Sequence, residues 1–404
     1  MSYRSLCMCS MLLLAAVPLS AAASTINTSP LEFSGWMPYW RSATSTADVL
    51  PHLSQLTEVN PFGYTVKNNG TLYDALTIGS PPWSTFIRAA QATHVLVVPT
   101  VMWSDGSAIQ RVLSNPQLRG IHERAIIAMV KANGFDGVDI DYEGKYADTK
   151  DYFSTFLKEL SLGLGGKRLD CTIEARTPPD SAFAKPPAQL DYANDYTAIN
   201  KYCTRVRLMT YDQESIDLLL NKAAANANQI YAPLSDPAWV EKVANLAAQT
   251  ISKNKLVIGA ATYGYEYDVT ATPDGSFHYK LLWSFNPRYA TDLAKTVNIT
   301  PSRNSAGEMS FSYLATSTPA SIAKAIMKTK PPSYPPTSSG DNVGARALAY
   351  AEKTGTAVDF HLMWWSDASA IADKVALAYK LGVRGVAVFK FDGGEDQGMW
   401  SILK

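Results

Sequence analysis

The chain has 404 residues, 36 basic and 36 acidic side chains, and an aromatic content of 11%. That length supplies one large domain or two with ample core, and a charged fraction of 18% beside so many aromatics excludes a disordered polymer. Zero net charge removes nucleic acid and acidic membrane surfaces from the expected partners, and no His-x-x-His or Cys-x-x-Cys spacing points to a metal or other cofactor.

Residues 1–23 carry the marks of a secretory signal peptide. Arg4 is the basic start, residues 11–17 (Met-Leu-Leu-Leu-Ala-Ala-Val) the apolar centre, and Ala21-Ala22-Ala23 the cleavage site. The apolar run falls short of the roughly 20 residues of a membrane span. The expected product, residues 24–404, is therefore secreted or periplasmic, a monomer without a membrane anchor. It keeps Cys171 and Cys203, which either pair in an oxidising compartment or remain two buried thiols.

Strand-like and helix-like segments then alternate, the rhythm of an α/β barrel. Residues 31–40 read as a first strand running into an aromatic loop with Trp36, Tyr39 and Trp40. Residues 59–66 are a second strand, closed by the turn Asn68-Asn69-Gly70. Residues 95–101 (Val-Leu-Val-Val-Pro-Thr-Val) are the nearly continuous apolar run of a parallel strand buried on both faces. Trp103 follows them, and a helix spans 116–133 with Gly134 just past its end.

Residues 135–143, Phe-Asp-Gly-Val-Asp-Ile-Asp-Tyr-Glu, form the fourth strand. A period of two puts Asp139, Asp141 and Glu143 on one face, about 6.5 Å apart in succession, and Val138, Ile140 and Tyr142 on the other. The acidic ladder is either a solvated face or cation site, or a row in which like charges keep one acid protonated for general-acid work.

A helix from Thr149, read as its N-cap, to about Leu164 follows. The fifth strand, 169–175, points Thr172, Glu174 and then Arg176 to one side; Glu174 and Arg176 are either site residues or an ion pair between strands. The sixth strand ends in Met209-Thr-Tyr211-Asp212. Asp236-Pro237 opens a helix that runs to about Ser252. The seventh strand, 256–262, leads into Tyr263-Gly264-Tyr265. About ninety residues from Glu266 then break the rhythm, including the Pro- and Ser-rich loop 331–340, before a helix over 367–381 and a strand over 385–391.

Asp136-Gly137-x-Asp139-x-Asp141-x-Glu143 resembles the signature of family-18 glycoside hydrolases, the chitinases and their relatives. Met209-x-Tyr211-Asp212 and Tyr263-Gly264-Tyr265 resemble that family's sixth and seventh strand ends. The resemblance implies a (β/α)8 TIM barrel over 24–404, with an inserted α+β module at about 266–360 between strand seven and helix eight. Two features depart from the family: Pro99-Thr100-Val101-Met102-Trp103 replaces the small-residue pattern of strand three, and Phe389 stands where a tryptophan is usual on strand eight. These differences bear on the substrate rather than on the chemistry.

The resemblance further implies substrate-assisted hydrolysis of β-1,4-linked N-acetylglucosamine, in chitin-type oligomers or peptidoglycan, a recorded exception to the two-carboxylate scheme. Glu143 would be the general acid. Asp141 would hold the substrate acetamido group, Asp139 would exchange charge with Asp141, and Tyr211 would donate to the acetamido oxygen. Asp212 would hold the sugar from the same loop as Tyr211, with Tyr263, Arg176 and Phe389, the last as an aromatic platform, as further expected contacts; Trp36, Tyr39 and Trp103, at predicted carboxyl ends of strands, either stack on sugar faces or pack in core and loops. A non-catalytic carbohydrate-binding protein on the same barrel is the alternative, and a cation-binding barrel a third.

Overall fold

Short runs of Val, Ile, Ala and Gly alternate with amphipathic helices through the described residues, 30–331 and 342–404 of a computed structural model. The expected signal peptide, and all of loop 331–340 except Pro331, lie outside them. Seven strands, β1 (Glu32–Pro38), β2 (Glu58–Val66), β3 (Thr100–Trp103), β4 (Gly137–Tyr142), β5 (Arg168–Glu174), β6 (Arg205–Met209) and β7 (Leu256–Ala261), pair in parallel in chain order.

The chain then leaves the barrel. Strands β8 (Gly264–Ala271), β9 (Phe277–Phe285), β10 (Met309–Tyr313) and β11 (Val358–Trp365) build an antiparallel sheet in the order β9-β8-β11-β10, edged by Ser302–Arg303. The chain returns through a helix, Ala368–Leu381, to β12 (Gly385–Phe389), which pairs in parallel with β7 and β1. Eight parallel strands thus close a (β/α)8 barrel, with an α+β module between the seventh strand and the eighth helix.

The outer faces of the strands make the apolar layer. Val138, Ile140 and Tyr142 are fully buried, and Phe156 of the helix Lys150–Gly163 stacks its ring on Tyr142 at 5.5 Å. Each such side chain contributes about 1.5–3 kcal/mol through burial, and Phe156→Ala would cost about 3–5 kcal/mol. The inner face of the barrel floor is ionic instead. Arg207 on β6 pairs with Glu58 on β2 and with Asp170 on β5 at 3.1 Å, while Arg168 reaches Glu58 at 3.1 Å and Asp170 at 3.3 Å.

Local readings differ from the structure in two places. The third strand is broken into Leu96–Val97 and Thr100–Trp103 around Pro99, which has no N–H for a ladder. Thr149 does not cap its helix. Its backbone is already helical (φ −73°, ψ −13°), and its hydroxyl donates to Gln110 instead. Asp236 does cap, accepting from Ala238 N at 2.7 Å ahead of Pro237. Cys171 and Cys203 form a disulfide with Cα atoms 6.0 Å apart, inside the range of about 4.4–6.8 Å that a bridge requires.

Candidate active site

The pleat of β4 turns Asp139 and Asp141 into the barrel, where both are buried, and leaves Glu143 half-buried just beyond the strand. Asp139 is surrounded by donors from four other strands. Its Oδ2 accepts from Trp36 Nε1 (3.1 Å) and Thr100 Oγ1 (2.9 Å), and its Oδ1 accepts from Thr172 Oγ1 (2.9 Å) and faces Arg207 at 3.2 Å. With its oxygens so occupied, Asp139 does not present a bare ligand to a cation. Among the described residues no group of three or more His, Cys, Asp or Glu side chains is arranged to hold a metal ion.

One step up the ladder, Asp141 has an oxygen without a hydrogen-bond partner. Burial, then the charges of Glu143 and Asp139, hold its proton affinity well above the ordinary carboxyl range, with Lys145 opposing them. Glu143 is also raised, by burial first and then by Glu174 and Asp212, again against Lys145. The two carboxylates facing Glu143 from other strands are both held. Glu174 accepts from Gly144 N (3.0 Å) and Asn194 Nδ2 (2.8 Å) and lies 3.6 Å from Lys145. Asp212 accepts from the hydroxyls of Tyr263 and Tyr265, the latter at 2.6 Å.

Tyr211 follows β6 and is buried, its phenol raised by desolvation and by Asp141. Its ring stacks on Phe389 at 5.5 Å, within 20° of parallel. The approach depends on Gly259 of β7, where a Cβ would stand 2.8 Å from Tyr211 Cε1. Phe389 also meets Tyr263 (6.1 Å) and Trp36 (5.8 Å) edge-on. Trp40, Asp212, Tyr263, Tyr265, Trp283, Tyr289, Phe389 and Lys390 line a cleft of about 620 Å³ over this group. A smaller cavity of about 280 Å³ is lined by Lys145, Glu174, Arg176, Tyr192 and Asn194.

The expected site residues therefore separate into three groups. Asp139, Asp141, Glu143, Tyr211, Asp212, Tyr263 and Phe389 converge at the carboxyl ends of the strands. Arg176 lies in the smaller cavity, its guanidinium 3.5 Å from the Tyr192 ring and 4.0 Å from Tyr196. It makes no ion pair with Glu174; Lys145 takes that place. The remaining aromatics do not line the cleft. Trp36 is 1% exposed, with its N–H committed to Asp139. Trp103 pairs in register with Tyr142 and so faces outward, packing edge-on against it at 5.5 Å. Tyr39 packs edge-on against Trp40, which lines the cleft in its stead.

Sequence reasoning missed Arg207, Lys145, Trp283 and Tyr289. Arg207 was visible in principle as a charge between Val206 and Leu208 in an apolar strand. Trp283 was not, because it reaches the cleft from the inserted hairpin, where its Nε1 donates to Glu266 at 2.7 Å.

Comparison with known proteins agrees with this geometry. The sequence profile of the glycosyl hydrolases family 18 matches residues 35–394. The uncharacterized glycosylase YvbX of Bacillus subtilis is 23% identical over 301 residues, 74% of this chain and 70% of that protein. The crystal structure of the spore cortex-lytic enzyme SleL of Bacillus megaterium superposes with a TM-score of 0.65 at 18% identity, covering 92% of this chain and 73% of SleL. The crystal structure of a chitinase from Chromobacterium violaceum gives 0.65 at 16% identity, covering 93% and 98%. At such identities the structural likeness speaks for the fold.

Proposed function

The chain belongs to the glycosyl hydrolases family 18, and from that premise we propose that it cleaves β-1,4-linked N-acetylglucosamine in chitin-type oligomers or peptidoglycan with Glu143 as general acid. The observation that carries this reading is the graded environment of the three ladder carboxylates. Asp139 is saturated by donors, Asp141 is buried with one free oxygen, and Glu143 is half-buried with raised proton affinity. A half-buried carboxyl with raised proton affinity suits protonation of a glycosidic oxygen.

The nucleophile is the substrate's own acetamido oxygen. The two carboxylates that face Glu143 from outside its own strand, Glu174 and Asp212, are already engaged by protein donors, which disfavours either as an attacking group. Asp141 offers its free oxygen to the acetamido N–H, and Tyr211 beside it offers a hydroxyl to the acetamido oxygen. As the anomeric carbon is attacked, the proton of Glu143 passes to the leaving oxygen. Water then opens the cyclic oxazolinium ion with Glu143 as base, so configuration is retained. Residues 1–23 act as a secretory signal in this reading, and the Cys171–Cys203 bridge suits the oxidising compartment to which it leads.

Mass spectrometry of the products from chitin oligomers and, separately, purified peptidoglycan tests the substrate. Glu143→Gln is expected to abolish turnover while sugar binding persists, and a thiazoline analogue of the cyclised sugar should inhibit the wild type. A covalent glycosyl–protein adduct trapped with a fluorosugar refutes the mechanism.

A further inference from the structure

A second cavity, of about 380 Å³, opens between the helix Leu218–Asn226 and the hairpin of β8 and β9. Aromatic rings (Tyr267, Phe277), small apolar side chains (Ala224, Ala225) and amides (Asn221, Asn228) share its wall. The volume lies in the range of small-molecule sites, about 300–1,000 Å³. Two polar groups on this wall lack protein partners. Tyr267 is 2% exposed and its hydroxyl has no hydrogen-bond partner. Glu214 is half-buried, and its carboxylate makes no hydrogen bond or ion pair among the described residues. An unsatisfied buried polar group costs about 1–3 kcal/mol, so the Tyr267 hydroxyl gains from a ligand that offers it a partner, and the Glu214 carboxylate stands free to accept from the same ligand. They lie within electrostatic reach of each other, since the Tyr267 phenol is raised by burial and next by Glu214.

The cavity is joined to the catalytic cleft by two routes. Glu214 follows Asp212 in the loop after β6, and both hold left-handed backbones, φ +43° and +56°. Tyr267 follows Tyr265 on the same face of β8, the two rings meeting edge-on at 6.1 Å, and Tyr265 donates to Asp212.

We propose that this cavity is a second glycan-binding site that takes one N-acetylhexosamine unit, its acetamido group bridging Tyr267 and Glu214. The acetamido N–H donates to the Glu214 carboxylate, its oxygen accepts from the Tyr267 hydroxyl, and its methyl packs against Ala224 and Ala225. The inference rests on the glycan reading of the cleft and extends it to a sugar unit held away from the scissile bond.

Ala225 is exposed on the helix and lines the cavity, so Ala225→Trp fills the space without disturbing the core. Titration calorimetry compares Glu143→Gln, which does not turn over, with Glu143→Gln carrying Ala225→Trp or Tyr267→Phe. The probes are the hexamers of N-acetylglucosamine and of glucosamine. For the acetylated hexamer the dissociation constant should rise about tenfold with Ala225→Trp and about threefold with Tyr267→Phe. The glucosamine hexamer should not distinguish the three chains. Ala225→Trp alone should cleave an aryl glycoside of the dimer as the wild type does.

An acetylated-hexamer affinity within about twofold across the three chains overturns the proposal, as does no binding to any of them. An equal loss with the glucosamine hexamer overturns the acetamido assignment. A wild type that hydrolyses no N-acetylglucosamine polymer defeats the catalytic reading instead, and the calorimetry still decides the site.

Discussion

Arg207→Met tests the barrel floor most directly. The guanidinium is nearly fully buried, bonded to Glu58, 3.1 Å from Asp170 and 3.2 Å from Asp139. Methionine keeps much of the volume and none of the charge, leaving Arg168 alone to face Glu58 and Asp170. Removing one partner of a buried ion pair costs about 3–5 kcal/mol. With an unfolding entropy of about 2.1 cal/mol/K per residue, a chain of 404 residues loses about 4–6 °C in Tm.

The deficit should depend on pH. Burial pushes Glu58 from its ordinary 4.5 up to about 7, with Arg207 opposing the shift and Asp170 adding to it. A carboxyl raised on folding stabilises fully below its unfolded value, and that contribution is lost as pH climbs from 4.5 towards 7. Without Arg207 the folded value rises further, so the gap between variant and wild type should widen between about pH 5 and about pH 8. Thermal melts of both proteins at the two pH values measure this. A variant melting within about 1 °C of wild type at both, or a gap larger in acid, refutes the electrostatic account of the floor.

Tyr211→Phe should lower kcat by about 10–100-fold with little change in KM, as expected when a donor acts mainly in the transition state, and steady-state kinetics on a chitin oligomer check it. His122 is buried with Nδ1 2.6 Å from the Gly70 carbonyl, and burial depresses its pKa from 6.5 to about 4. Stability present above 6.5 should therefore be lost as pH falls towards 4, by about 3 kcal/mol in denaturant titrations. Thiol titration of residues 24–404, unfolded, should find no free cysteine before reduction. Reducing the bridge, which spans 32 residues, should lower stability by about 3–4 kcal/mol.

Much of the site was legible because a strand's period of two fixes side-chain direction. The run Asp139, Asp141, Glu143 implied one polar face, and the barrel interior is where that face lies. The same rule would have placed Trp103 outward had its register with Tyr142 been known, but register is a property of the pair of strands and not of either sequence. Trp36 illustrates another limit. An aromatic at a strand end reads as a sugar platform, while its role here as donor to Asp139 depends on a residue 103 positions away. Lys145 was obscured because its value lies in Glu174, brought alongside by β5.

The pairing of β1 with β12 joins Glu32 to Gly385 and Trp36 to Phe389. During synthesis β1 can find β2 early, but its other edge has no strand to meet until β12 has emerged. The open edge of β7 waits equally long, while the inserted module can form its own hairpins in the interval. Closure is then a contact of very high sequence separation, which slows folding and leaves two sheet edges exposed to other nascent chains. Demand for chaperone protection should accordingly peak between the emergence of β7 and that of β12, and a chain stalled before Gly385 should be captured by holdases where the full-length chain is released.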